Sequence, residues 1–511
     1  MKLFTKILSL LLVVAMIALP LCACEKDEPA TSGNTSGTAV SSEVAGDEPA
    51  IPEGTRFDDT EIRFIVSDGD EATGSLPSRS IDIDEDADMA FSVNQAIKTR
   101  NQTIEDKLGV DIVLKQVVDQ GAMTAELQPI LLAGTDEYDV VGAYEYYDIG
   151  LTLDSTAGTF LNYNKIADEE MFIDVTKPYW DENLYNELAY KGAAYWITGD
   201  LSQTWVGSIF VSFVNARIWG LYANQIKAIT GTDDIYEIIN TGKWTLDLWL
   251  ELSKMAYVDE NGDEKVDVDD QLGFLTYNTM LSNIMADGLA AGSHVTYTSW
   301  VDGVPTVDFF NDHSVKFAEK LNALYNESKA CKMEWMDEKY ILDVFAEGKA
   351  LMTVNLLHNT EIYLADMTDD YYVVPMPKLD EQQTEYYTIN HDNVTLYGIP
   401  ASCSNVGATT ATLELMGYYS YKLVTPQYYD VALKERYTRD EKAAAMIDKI
   451  RDSLFSDFTV LWTGQLGSPT HFFRTNISKR FASTAKGKQK QWENSLAKLL
   501  EKVENSLYIE M

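Results

Sequence analysis

The chain has 511 residues, with 40 Lys and Arg against 80 Asp and Glu, a formal charge of −40. The length exceeds one typical core and points to two or three domains of about 150 residues each. The charge excludes nucleic acid as a partner and opposes adsorption to an anionic membrane surface.

Lys2 and Lys6 form a basic head, Ile7 to Leu19 an unbroken apolar run, and Leu21-Cys22-Ala23-Cys24 follows directly. The run is shorter than the roughly 20 residues of a membrane span, so residues 1–24 read as an export signal. Small Ala23 before a cysteine resembles the lipobox of bacterial lipoproteins, in which the thiol is acylated and Cys24 becomes the mature N-terminus. The alternative is an ordinary cleaved signal with a stray cysteine. Residues 25–55 are rich in Ser, Thr, Gly, Pro and acids and read as a tether of about 30 Å end to end. The two remaining cysteines, Cys331 and Cys403, either pair, as an oxidising compartment permits, or stay as two buried thiols.

The folded region opens near Arg56 with a βαβαβ pattern. Ile62, Phe64 and Val66 alternate as a strand, and Val93, Ile97, Ile104 and Leu108 share one helical face that stops at Gly109. Val110 to Leu114 is the next strand, Met123 to Leu131 a helix closed by Gly134, and Tyr138 to Val141 a third, buried strand. Such alternation predicts a parallel sheet with helices on its faces, and ligands of such sheets sit beyond the carboxyl ends of the strands. That places the loop Gly142 to Tyr147 at a site. Farther on, Phe210 to Asn215 reads as a central strand, Thr245 as the N-cap of a helix with buried Leu248, Leu252 and Met255, and residues 345–355 as a helix end, a Gly turn and a strand. A helix is expected over about Ser314 to Lys329, and from Asn405 onward the chain is mostly helical. There is no internal repeat.

Asp259, Asn261, Asp263, Asp267 and Asp270 follow the one, three, five, nine, twelve spacing of a calcium loop, with Glu264 where that loop has glycine and Asp in place of Glu at the end. A structural calcium and a solvated acidic hairpin are both consistent with this pattern. No cofactor is otherwise required. Nucleophile-elbow, zinc-protease and phosphate-loop motifs are missing, and the five histidines are scattered.

Several of these pieces together resemble the family 1 extracellular solute-binding proteins, receptors of ATP-binding-cassette importers, and especially their carbohydrate-binding, maltose-binding-protein-like branch. The residues concerned are the Cys24 tether, Ile104 to Val110, Tyr138 to Val141, Phe213-Val214-Asn215, Gly242 to Thr245, Phe345 to Asn355, Tyr372 to Pro377 and Gly398 to Ser402. The resemblance implies an α/β, two-lobe, type II periplasmic-binding-protein-like fold with an inter-lobe hinge and a helical C-terminal region. It implies lobe 1 over 56–204 plus 402–445, lobe 2 over 205–401 plus 446–511, and crossings near Trp205 to Ser208, Leu396 to Ser402 and Arg439 to Arg451.

Sugars present polar edges and apolar faces, so their sites combine aromatic rings with carboxylates and amides. On that basis Tyr144, Tyr146, Trp205, His358 and Trp462 are candidate ring contacts, and Glu145 and Asp200 candidate hydroxyl acceptors; packing is the competing role for each ring. The expectation is a monomeric receptor, not an enzyme, anchored by lipid at Cys24 on the extracellular face of the cell membrane. It delivers a small solute, a carbohydrate and most simply an oligosaccharide, to the permease subunits of an importer. A surface-anchored carbohydrate-active enzyme and a receptor for a peptide or other non-sugar solute are the alternatives.

Overall fold

The computed structural model describes residues 47–68, 82–84, 91–119, 122–153, 158–278, 283–334, 340–434, 441–477 and 481–507. Cys24, the export signal and most of the tether lie outside them. In chain order the strands are β1 (Thr60–Asp68), β2 (Val110–Asp119), β3 (Val140–Tyr144), β4 (Phe210–Asn215), β5 (Leu272–Tyr277), β6 (Thr298–Val301), β7 (Val304–Val307), β8 (Cys331–Met333), β9 (Ala350–Leu356), β10 (Tyr371–Val374) and β11 (Thr395–Gly398).

The first lobe is built on a sheet of order β11-β3-β1-β2. β1 pairs in parallel with β2 and β3, as the βαβαβ pattern predicts, and β11 closes the edge antiparallel to β3. Successive side chains of a strand face opposite sides. Accordingly Ile62, Phe64 and Val66 enter one core with Val140 and Tyr397, while Ile65 enters another on the far face with Val141, Ala143 and Leu396. Helix Phe91–Leu108 ends at Gly109, whose φ of +73° permits the reversal into β2.

The second lobe carries a sheet of order β10-β4-β9-β5-β8, with β4 an interior strand buried along its whole length. Thr245 caps helix Leu246–Ala256 by accepting the Leu248 N–H, with Asp247 in the first turn. The expected helix near Ser314 runs Asp312–Asn326, and its start is fixed by a reciprocal capping box between Asn311 and Ser314. Cys331 and Cys403 are both buried and unbridged.

The chain leaves the first lobe through the short helix Gln203–Gly207 and enters β4 at Phe210. Two expected boundaries differ. Leu396 begins no crossing, because Thr395 to Gly398 already pair with β3, so the return lies before Thr395. Helix Glu441–Asp452 places Ala443, Met446, Ile447 and Ile450 in the second lobe's core, so the chain has left the first lobe before Ala443.

The C-terminal helix Phe481–Ser506 belongs to neither lobe alone. Phe481 and Trp492 join an aromatic nest around Phe309, Phe472 and Phe473 in the second lobe's core, whereas Leu496, Leu499, Leu500 and Val503 pack into the first lobe's. Its end is fastened to the first lobe by Tyr190 Oη to Glu504 at 2.9 Å and Tyr195 Oη to Ser506 at 3.0 Å.

Candidate functional site

The carboxyl end of β3 runs straight into the one-turn helix Glu145–Asp148, which turns the expected binding loop back toward the inter-lobe segment. The Glu145 N–H donates to Val394 O at 3.1 Å and the Tyr146 N–H to Asp392 O at 3.2 Å, so the segment entering β11 holds the turn in place. Gly464 lies so close to this turn that an added Cβ would stand 2.4 Å from the Tyr146 carbonyl oxygen. Three pieces of chain, from 144–148, 390–394 and 462–474, therefore meet at one place between the sheets.

Of the predicted residues, Glu145 and Tyr146 are at this junction. Glu145 is 2% exposed, and its Oε1 has no hydrogen-bond partner. Burial first, then the charges of Asp392 and Asp181, push its carboxyl well above the ordinary range. Tyr146 stacks on His471, centroids 5.6 Å apart and planes 9° from parallel, and its hydroxyl meets Ser468 Oγ at 3.1 Å. Tyr144 is buried and stacks on Tyr147. Trp205 and Trp462 fall in the same apolar core; Trp205 Nε1 donates to Asp181 Oδ2 at 3.0 Å, and the buried Trp462 Nε1 has no partner.

The other predicted residues are used differently. Asp200 is fully buried, and both its oxygens accept from Arg451, at 3.2 and 3.3 Å, so it is an internal ion-pair partner and not a free hydroxyl acceptor. His358 is buried against the first crossing, its Nδ1 3.2 Å from Gly207 O. The Asp259 to Asp270 segment folds as a hairpin onto itself. Asp259 accepts from the N–H groups of Gly262 and Glu264, Asn261 from that of Asp263, Asp263 from that of Lys265, and Asp270 from Tyr257 Oη and the Glu260 N–H. Among the described residues no group of three or more His, Cys, Asp or Glu side chains is gathered as a metal requires.

Five further residues complete the junction, and no motif or periodic pattern marks Arg474, Asp287, His391, Asp392 or His471 in the sequence. Arg474 pairs with buried Asp287 through Nε at 2.7 Å and also stands 3.7 Å from Asp392. Asp392 lies between His391, 3.1 Å away, and His471, 3.7 Å away, and these imidazoles together with the Arg474 guanidinium hold its carboxyl below the ordinary range in spite of its burial. A cavity of about 20 Å³, room for a single water, opens among Phe210, Asp287, His391, Asp392, Thr470 and Arg474. The arrangement has rings, an orphaned carboxyl and an orphaned indole N–H between two lobes.

Two α/β lobes joined by several crossings, with such a junction between them, define the two-lobe periplasmic-binding-protein-like fold. The chain is similar in structure to the cyclic alpha-maltosyl-1,6-maltose binding protein of Arthrobacter globiformis, with a TM-score of 0.54, 11% identity, and 86% of this chain and 99% of that one covered. It is also similar to the galacto-N-biose-/lacto-N-biose I-binding protein of the ABC transporter of Bifidobacterium longum, in complex with lacto-N-biose, with a TM-score of 0.51, 10% identity, and coverage of 89% and 99%. UgpB of Mycobacterium tuberculosis, in complex with glycerophosphocholine, gives a TM-score of 0.50 at 15% identity over 80% and 96% of the two chains. At these identities the likeness is one of fold. No family model matches the chain, and no curated protein does.

Proposed function

We propose that the protein is a receptor that binds a carbohydrate, most simply an oligosaccharide, between its lobes and delivers it to the permease of an ATP-binding-cassette importer. In this reading it is a monomer held by lipid at Cys24 on the outer face of the cell membrane. The observation that carries it is the junction itself: Tyr146, on the turn after β3, stacks on His471 of the C-terminal segment, and buried polar atoms at Glu145 Oε1 and Trp462 Nε1 are left without partners. The two-lobe fold and the sugar-bound proteins that share it support the reading. A solute that touches both walls binds the closed form better, and only such a difference in affinity can shift the equilibrium toward closure.

One observation favours a second reading, a carbohydrate-active enzyme. Glu145 and Asp392 stand on segments joined backbone to backbone, the Tyr146 N–H donating to Asp392 O at 3.2 Å, and a pair of carboxyls is what glycoside hydrolysis uses. A thermal-shift screen against a sugar panel, paired with small-angle scattering and chromatography of the sugar, separates the two. The receptor reading requires a raised melting temperature, compaction and intact sugar. Cleaved sugar gives the enzyme reading, and no response from any sugar sends the search to other solutes.

A further inference from the structure

We propose that the solute carries an acid group on a sugar ring, a carboxylate or a sulfate ester, and that a cavity lined by Tyr147, Gln465, Lys498 and Lys502 receives it. The inference rests on the receptor reading and names the substrate class through a cavity that adjoins the junction.

The cavity holds about 370 Å³, inside the range of roughly 300–1,000 Å³ found for small-molecule sites. Its walls come from separate parts of the chain. Thr124 lies in the first turn of helix Met123–Ala133, after β2; Tyr147, Gly150, Leu151 and Leu153 follow β3; Ser495, Lys498, Leu499 and Lys502 belong to the C-terminal helix. β2 and β3 both pair in parallel with β1, so the cavity lies beyond their carboxyl ends, where such sheets bind ligands. Tyr147 reaches it from the turn after β3 and Gln465 from the 462–474 segment, the same two pieces of chain that build the junction.

Each wall offers a different contact. Tyr147 is 46% exposed, although its ring stacks on Tyr144 at 5.3 Å and meets Tyr146 edge-on at 4.9 Å. Two neighbours thus hold the ring, and its exposed part is left for the apolar face of a sugar. Gln465 Oε1 is buried without a hydrogen-bond partner and can accept from a sugar hydroxyl. Lys498 and Lys502 are exposed and stand four residues apart, which puts them on one face of the helix. Among the described residues no carboxylate lines the cavity, in a chain with 80 Asp and Glu against 40 Lys and Arg. A neutral sugar would leave the lysine pair unused, and an amino sugar would be repelled by it. An acid group on the ring meets the pair, while the ring meets Tyr147 and its hydroxyl Gln465. The chain's negative charge beyond about 8 Å is largely screened at physiological salt, so the two near ammoniums outweigh it.

The test is calorimetric binding of glucuronate, galacturonate and mannuronate oligosaccharides to the purified protein, each against its methyl ester, and of a sulfated disaccharide against its unsulfated parent. The acid is expected to bind about fivefold tighter or more at low salt, with the advantage shrinking as salt rises. In Lys498→Gln, Lys502→Gln the ratio is expected to fall to about twofold or less, and in Lys498→Arg, Lys502→Arg to persist, since both positions are exposed and the arginines keep the charge. A preference confined to the sulfated probe supports the inference and identifies the acid as a sulfate ester. Equal binding of every acid and its neutral partner overturns the inference while leaving the receptor reading intact. If no sugar binds, charged or neutral, both fall together. A preference that survives unchanged in the glutamine variant overturns the assignment to this cavity.

Discussion

The indole Nε1 of Trp300, on the hairpin of β6 and β7, donates to both carboxylate oxygens of Glu187 on helix Glu182–Leu188, at 3.1 and 3.2 Å. Phe458 packs edge-on against the same indole, so the contact ties the hairpin to the first lobe from outside. Burial, with Asp457 adding to it, raises the Glu187 carboxyl to about 7. Glu361, beside the first crossing, is raised by burial alone, also to about 7.

A carboxyl raised in the folded state is stabilising when protonated. Its contribution is complete below the ordinary value of 4.5 and is lost as pH rises through about 7. The double variant Glu187→Gln, Glu361→Gln should therefore gain melting temperature relative to wild type as pH goes from 4.5 to 7.5. Parallel melting curves across that window would show that neither group is linked to folding.

The Asp200 and Arg451 pair predicts a large loss from a single truncation. Arg451→Ala leaves a fully buried carboxylate without its cation, and breaking a buried pair in this way costs about 3–5 kcal/mol. The guanidinium also lies 5.3 Å from the Tyr429 ring, whose packing goes with it. Urea denaturation should show the drop, and Asp200→Asn in the Arg451→Ala background should recover part of it. A loss below about 1 kcal/mol would mean that solvent reaches Asp200.

Gly207 sits at the first crossing, where an added Cβ would stand 2.4 Å from Tyr428 Oη and 3.0 Å from His358 Cβ. Gly207→Ala should force the two rings apart and cost about 1–3 kcal/mol by overpacking. If the crossing is also the hinge, the variant should be less compact in scattering even with ligand present. Unchanged stability and dimensions would show that the rings yield freely.

The acidic hairpin has the turn that a calcium loop needs, since Glu264, at the sixth position, holds a φ of +64° and donates its N–H to Asp259. We propose a calcium there on spacing and turn together. Binding must draw the carboxylates off their own backbone, so the affinity should be weak. Millimolar calcium should raise the melting temperature by a few degrees, and chelator should reverse it. Identical curves would assign the segment to an acidic hairpin without metal.

The anchor is tested separately. Cys24→Ser should move the protein from the membrane fraction to the soluble one and abolish metabolic labelling with fatty acid. Retention in the membrane without label would sink the assignment.

Much of the architecture was legible because local chemistry and global packing agree. The alternation in β1, the Thr245 cap and the interior character of Phe210–Asn215 are each written within ten residues and each recur in the fold. The loop after β3 was also found, because its place follows from strand order and not from any motif. What escaped were contacts whose partners are far apart in the chain. Arg474 and Asp287 are 187 residues apart, Asp200 and Arg451 251, and neither Arg474 nor Asp392 lies in a periodic pattern that would advertise a buried charge. Asp200 illustrates the same limit from the other side. Its loop position suggests exposure, and only the distant helix Glu441–Asp452 determines that an arginine covers it.

The C-terminal helix passes from the second lobe's core at Trp492 to the first lobe's at Leu496, a change of company within about one helical turn. A stiff rod can span a moving boundary only where the displacement across it is smallest. If the lobes swing, their axis must therefore run close to that single turn, and residues far from it along the rod, Glu504 and Ser506 among them, would sweep the widest arc. That far end, with Leu499, Leu500 and Val503 in the first lobe's core and Glu504 and Ser506 tied to Tyr190 and Tyr195, must travel with the first lobe as one piece.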